Sequence, residues 1–479
     1  MTNADMVIAL PSLPEQSLNS KAIVQPSSAA MTVPMECLAP TLKINSPQRP
    51  GRETVGCELK HRLQLFKQQQ ASPDTADVES DIEYSFFIAD LGEVYRQFLR
   101  WKRNLPRVEP FYAVKCNPDP LVLRLLASLG AGFDCASKDE IAKVLALTPT
   151  VPRRNIIFAN PCKANPQIRY AQQVNVKMMT FDNMDELHKC KQHYPDAQLL
   201  LRIWTDDSKS QCQLSRKFGA SEESIRPLLK LAKLLSLNVI GVSFHVGSGS
   251  HDPDAFVSSV DMARRAFDIG HDLGFEFNIL DVGGGFCHDD FERVARVLGR
   301  KIDEQFPEEM GVRIIAEPGR YFVASAFTLA TNVIARRVGY PTESNPENSY
   351  MCTSPFPSIT LTIDYLSDGV YGSFNCILYD HQNPIPKLLS HEGRFHYNSP
   401  DSQPTSTNKF KCSIWGPTCD GLDCIAPSFQ LPVVLEVGDW LYFEDMGAYT
   451  ICAATCFNGF RASEVFYVTS EPRIAEFLD

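Results

Sequence analysis

No stretch of the 479-residue chain approaches the ~18 consecutive apolar residues of a membrane-spanning helix, so a membrane is not an expected partner. Positive charge is also in short supply. Lys and Arg total 46 against 57 Asp and Glu, a net charge of -11. Phosphate backbones require clustered cations, so nucleic acid is not expected either. The 15 cysteines are odd in number and contain no C-x-x-C pair. A disulfide framework is therefore not expected, and reduced thiols in a cytosolic protein fit better. The short apolar run Met6–Leu10 has no basic residue before it. Asp5 and Glu15, with no early Arg, are unlike a transit peptide, and the expected location is the cytoplasm. G-x-G-x-x-G after an early strand and the Walker lysine pattern are both missing, which argues against a Rossmann sheet and a nucleoside triphosphate.

What is present is an ordinary globular composition, 44% hydrophobic, over a length that suits two or more domains. Pro and Ser punctuate residues 1–50, which predicts a disordered extension, with one strand near Val55–Leu63. Further on, short apolar runs recur at Phe86–Ala89, Phe111–Val114, Ile156–Ala159 and Lys177–Phe181. Others follow at Leu199–Ile203, Val239–Phe244, Ile279–Val282 and Val312–Ala316. Helical patterns separate them, as where Ile225, Leu228, Leu229, Ala232 and Leu235 share a face behind acidic Glu222 and Glu223. Buried, non-alternating strands between helices indicate parallel β/α units, and about eight of them predict a (β/α)8 barrel over residues 84–326. After Phe327 the helical period fades. Runs at Thr360–Tyr365, Phe374–Tyr379, Val433–Val437 and Trp440–Phe443 predict a mostly β domain from 51–83 and 327–479. Loop inserts are expected near 339–358 and 392–408, which are rich in Pro, Ser and Asn.

In such a barrel the reactive groups sit where strands end. Those ends carry Lys115, Asp134, Asn160, Arg202, His245, Gly283–Gly285 and Glu317. Lys115 is either a snorkelling surface amine or a partly desolvated one whose lowered pKa suits Schiff-base chemistry. Gly283, Gly284 and Gly285 form either a tight turn or a nest of backbone N–H groups for a phosphate. Glu317-Pro-Gly-Arg320 is either a capped turn with an ion pair or an acid placed for a pyridine nitrogen, with Arg320 on a phosphate. His245 and His251 stand in an H-x5-H spacing with no cysteine or carboxylate frame, so no metal site is expected, whereas an imidazole stacked on a flat ring is. A small phosphorylated cofactor fits these groups.

Six motifs, in order across about residues 84–470, give the pattern a name. They are Phe111-Tyr-Ala-Val-Lys-Cys-Asn117, Gly132-Phe-Asp-Cys-Ala-Ser-Lys138, His245-Val-Gly-Ser-Gly249, Asp281-Val-Gly-Gly-Gly-Phe286, Glu317-Pro-Gly-Arg-Tyr321 and Trp415-Gly-Pro-Thr-Cys-Asp-Gly-Leu-Asp423. The chain resembles the eukaryotic ornithine decarboxylases, pyridoxal 5'-phosphate enzymes with an alanine-racemase-like barrel. The resemblance implies conversion of L-ornithine to putrescine, the entry step of polyamine biosynthesis. Lys115 would carry the cofactor, Glu317 would meet its ring nitrogen and His245 would stack on the ring. Ser248, Gly284, Gly285, Gly319, Arg320 and Tyr449 would hold the phosphate, with Gly283 completing the loop. Asp134 and Arg202 match positions near the cofactor. Asp380, beside Tyr379, and Asp420 would take the distal substrate amine, and Cys419 would protonate Cα after carbon dioxide leaves.

The resemblance further implies a homodimer with shared active sites, in which Cys419 and Asp420 come from one chain and Lys115 from the other. Lys217 would pair across the interface with Asp423. A basic stretch, with Lys163, Arg169, Lys177, Lys189 and Lys191, matches the region bound by the regulator antizyme. Rival readings are a lysine, arginine or diaminopimelate decarboxylase, and a non-catalytic antizyme-binding decoy.

Overall fold

The computed structural model describes residues 50–70, 85–339, 361–399 and 409–477. The disordered extension expected over 1–50 lies almost wholly outside the described residues, as do 340–358 and 400–408 of the expected inserts. Ten strands frame the site: β1 Phe86–Asp90, β2 Val108–Ala113, β3 Gly132–Cys135, β4 Ile156–Phe158, β5 Met178–Phe181, β6 Gln198–Arg202, β7 Asn238–Ser243, β8 Ile279–Asp281, β9 Arg313–Ala316 and β10 Phe327–Gly339. Strands β2 to β9 close into an eight-stranded parallel barrel, with Val108 of β2 registered against Ile314 of β9. Several of these strands are buried at every residue, as a barrel sheathed by helices requires. Phe111, Ile157, Met178, Leu200, Ile240, Ile279 and Ile315 form one apolar cluster drawn from seven barrel strands. The helix Glu222–Leu234 buries Ile225, Leu228, Leu229 and Ala232, the face its sequence spacing predicts.

Membership of the barrel differs from the sequence expectation in one strand. The run at Phe86–Ala89 was expected to begin the β/α alternation, yet β1 pairs antiparallel with β10 and parallel with Glu464–Val468. Its place in the barrel is taken by Gly132–Cys135 (β3). An all-apolar run carries no mark of which sheet it joins, and the short β3 begins with a glycine, a poor strand former.

Among the described residues the second sheet has nine strands with β10 at its centre, flanked by Leu361–Leu366, Trp440–Phe443 and β1. The strand expected at Val55–Leu63 is instead part of a helix, α1 (Arg52–Gln70). Val55, Leu59 and Leu63 recur every four residues and are buried, and Phe66 stacks on Trp440 at 5.7 Å. Two further expectations fail. Phe374–Tyr379 contains a short helix, Asn375–Tyr379, and Val433–Val437 holds no strand. Glu392 is no insert boundary either. Glu392 and Gly393 turn a hairpin between Lys387–His391 and Arg394–Phe395, and Tyr397 then packs on Tyr442 at 4.8 Å.

A short helix, Arg320–Val323, follows β9 and leads through a 3-10 turn, Ala324–Ala326, into β10. This connection sets the second sheet over the end of the barrel where the strands finish.

Candidate active site

A cavity of about 280 Å³ opens where barrel and second sheet meet. Barrel ends supply Lys115, His245, Ser248, Gly284, Gly285, Glu317, Gly319 and Arg320, and the second sheet's loops supply Tyr379, Asp380 and Tyr449. Lys115 lies on a 3-10 turn, Val114–Cys116, directly after β2. Tyr449 sits at φ 55°, a left-handed conformation that costs a non-glycine residue of order 1–3 kcal/mol. Its N–H donates to the Cys116 carbonyl at 3.0 Å, tying the second sheet's loop to the Lys115 turn.

The lysine amine bonds to the carboxylate of Asp134, which is wholly buried with its other oxygen unpartnered. Burial opposes the Lys115 charge, but Asp134, Tyr449 and Glu317 outweigh it and hold the ammonium above its ordinary range. The lowered pKa expected from sequence is therefore absent, because the neighbouring anion wins over desolvation. Burial, aided by the charges of Arg202 and Lys115, keeps His245 well below its usual range, a neutral imidazole. Its Nδ1 accepts from the Gly247 N–H at 3.0 Å. Glu317 is raised well above the carboxylate range by burial and by Asp134 and Asp281. Asp281 is raised too, chiefly by burial. Two buried acids in contact cannot both ionise cheaply, so the pair keeps a proton.

The glycine loop divides its work. Gly283, at φ 65°, makes the turn: a Cβ there would lie 2.1 Å from the Phe244 carbonyl, and the residue does not line the cavity. Gly284 does line it, and a Cβ would meet His245 Nε2 at 2.7 Å and the Glu317 carbonyl at 2.8 Å. Arg320 reaches Ser248 Oγ at 3.4 Å and both Asp380 oxygens at 2.7 and 2.5 Å, with its guanidinium 5.2 Å from the Tyr449 ring centre. Its Nε is buried without a partner.

Other expected residues lie apart from this cavity. Arg202 sits against the Phe218 ring at 4.9 Å and acts on His245 through its charge. Cys419 is exposed, its N–H held by Asn458 Oδ1 at 3.0 Å. Asp420 accepts from the Tyr371 hydroxyl at 2.5 Å. Neither lines the cavity. Asp423 is buried and accepts from the Val370 N–H and from both the N–H and the hydroxyl of Thr418, so it braces the Cys419 loop within its own chain. Lys217 is exposed. Lys163 is not on a basic face: it is fully buried and paired with Glu186 at 2.9 Å. Sequence reading missed Asn375 and Cys212. Both line the cavity, and Cys212 Sγ lies 3.6 Å from Asp380. Neither stands at a barrel strand end, so nothing in the pattern marked them.

Residues 91–324 match the family profile described as pyridoxal-dependent decarboxylase, pyridoxal binding domain. Ornithine decarboxylase of Schizosaccharomyces pombe is 49% identical over 424 residues, 88% of this chain and 91% of that protein. The chain belongs to the ornithine decarboxylase family. Within that family, antizyme inhibitor 2 of Xenopus laevis is 50% identical over 82% of each chain. Among solved structures, the arginine decarboxylase of Paramecium bursaria Chlorella virus bound to agmatine superposes with a TM-score of 0.74 at 33% identity, covering 86% of this chain and all of that one. It bears out the barrel and second sheet. The family is pyridoxal-dependent, and this cavity fits the cofactor. Gly284 and Gly285 leave a cradle that side chains would fill, and Arg320, with a buried unpartnered N–H, and Lys115 line the same cavity.

Proposed function

We propose that this chain decarboxylates L-ornithine to putrescine, the entry step of polyamine biosynthesis, in the cytoplasm. One observation carries the reading above all. A lysine amine, a glycine cradle with an arginine, and a carboxylate, Asp380, share one cavity, matching in turn a carbonyl cofactor, its phosphate and a distal ammonium. When bound, pyridoxal phosphate supplies an electron sink for the pair left at Cα as carbon dioxide departs.

The chain's own groups do the rest. Lys115 carries the cofactor and is held by Asp134. Gly284, Gly285, Gly319, Ser248, Arg320 and Tyr449 would hold the phosphate, with Gly283 shaping the loop. His245, kept neutral, would stack on the ring without adding charge to it. Glu317 would hold a proton at the ring nitrogen, and its raised affinity for protons suits that task. Asp380 orients the distal ammonium, with Tyr379 at the mouth. Cys419 holds at Sγ the proton for Cα, and Asp420 is the second anion for the ammonium. Since these two stand outside the cavity of their own chain, a second copy would deliver them in a two-fold dimer, with exposed Lys217 at the contact. Antizyme would bind the face carrying exposed Arg169, Lys177 and Lys191.

The test is carbon dioxide release from ornithine, lysine, arginine and diaminopimelate with added cofactor, read beside the visible absorption of the bound cofactor and its loss on borohydride reduction. Ornithine should be the best substrate. One methylene is worth only ~1–3 kcal/mol, so slow turnover of lysine is compatible. No release from any of the four, with no absorption band, would point to the decoy.

A further inference from the structure

Among the described residues, one set of metal-capable donors gathers beyond the cavity lining: a ring nitrogen of His251, Cys287 Sγ and a carboxylate oxygen of Asp289, all within 4.8 Å of one another. The loop after β8 brings Cys287 and Asp289 to His251, which lies on the loop after β7. We propose that His251, Cys287 and Asp289 bind one zinc-class divalent ion per chain.

A mixed nitrogen, sulfur and oxygen donor set selects a borderline ion over magnesium or calcium, and three protein ligands leave a fourth position for water. A lone exposed histidine beside an acid is ordinarily a surface pair. Two further observations set this one apart. Cys287 is only 6% exposed, yet its sulfur belongs to the cluster, and its single hydrogen bond is a long 3.8 Å to the Gly285 carbonyl. Asp290 Oδ2, which also pairs with Arg293 at 2.7 Å, lies 3.3 Å from His251 Nδ1, while Asp290 Oδ1 is buried without a partner. A carboxylate behind a ligating imidazole fixes its tautomer and orientation.

Zinc bonds of about 2.0–2.3 Å put tetrahedral ligands about 3.3–3.8 Å apart, so the widest pair must close by about 1 Å. His251 and Asp289 are exposed side chains that can turn inward. Coordination replaces the Cys287 S–H bond with a metal–sulfur bond, and the proton leaves to solvent. The ion would staple two loops already joined by the Ser250 N–H to the Gly285 carbonyl at 3.2 Å, directly beside the phosphate cradle.

The experiment uses the full-length holoenzyme, stripped of metal by a chelator and titrated with Co2+ alone as a spectroscopic probe, then with Zn2+ in competition. One tetrahedral cobalt per chain, with a thiolate charge-transfer band and displacement by zinc, is expected. His251→Ala, a surface change, should abolish the tetrahedral bands, and Asp290→Asn should weaken binding about 10–100-fold. Cys162→Ser, which removes an exposed thiol elsewhere, should leave them intact. Cys287→Ser should remove the charge-transfer band. If that variant fails to fold, His251→Ala decides alone. Tetrahedral bands that survive His251→Ala, or none in the unaltered protein, would overturn the site.

Discussion

Lys115 and Cys419 offer a quantitative test of whether two chains share each active site. Lys115 lines the cavity, whereas Cys419 is exposed on a loop outside it. If a two-fold partner supplies the thiol, Lys115→Ala alone damages both sites of a dimer, and so does Cys419→Ala. Mixing the two variants changes the geometry. In a mixed dimer one site receives both substitutions and the other receives neither. Equal amounts with free exchange make about half the dimers mixed, so about a quarter of all sites are intact. Two proteins nearly inactive for putrescine formation should therefore regain about a quarter of the unaltered activity. The assay is putrescine release, with subunit exchange followed independently through two affinity tags. Demonstrated exchange without any return of activity would place both residues within one chain and refute the shared site.

Three further outcomes are expected. Cys419→Ala should continue to release carbon dioxide but deliver most of its product as an aldehyde, with the cofactor left in its amine form. Clean putrescine at an unchanged rate would remove the proton-donor role. Gly284→Ala forces a Cβ to within 2.7 Å of His245 Nε2 and 2.8 Å of a backbone carbonyl. At about 1–3 kcal/mol for such overpacking, cofactor affinity should fall roughly tenfold or more, measured by absorbance titration. Asp281 titrates above its unfolded-chain value. The native chain thus holds a proton that the unfolded chain releases, and stability falls as pH rises from the ordinary carboxyl range toward neutrality. Asp281→Asn should flatten that decline, seen by comparing melting temperatures of cofactor-stripped protein at about pH 5 and about pH 8. An unchanged slope would mean that the Asp281 carboxyl carries no such proton.

The barrel was legible because its strands are apolar throughout and its helices carry a one-sided stripe, both direct consequences of burial. Polar residues closing those strands marked Lys115, His245, Glu317 and Arg320, which the structure brings to one cavity. Pairing was not legible. β1 looks like any barrel strand, and only its partners, β10 and Glu464–Val468, reveal its sheet. In α1, the spacing of Val55, Leu59, Leu63 and Phe66 was helical all along, but its low overall hydrophobicity hid the pattern. The charge state of Lys115 was illegible for a different reason. It is decided by Asp134, 19 positions away in sequence and in hydrogen-bond contact in space. Asn375 was hidden inside a run that reads as a strand but folds as a turn of helix.

Arg320 bonds both oxygens of Asp380 while its unpartnered Nε faces the same polar neighbourhood. In the proposed reading, one guanidinium would serve two clients, the phosphate cradle and the carboxylate for the far end of the substrate. Whatever charge Arg320 lends to one it withholds from the other, so the two affinities are thermodynamically linked. Adapting this cavity to a longer or shorter diamine by moving Asp380 would retune the hold on the cofactor at the same time. Drift in substrate preference is thereby constrained: a change of specificity at Asp380 survives only with a compensating change around Arg320.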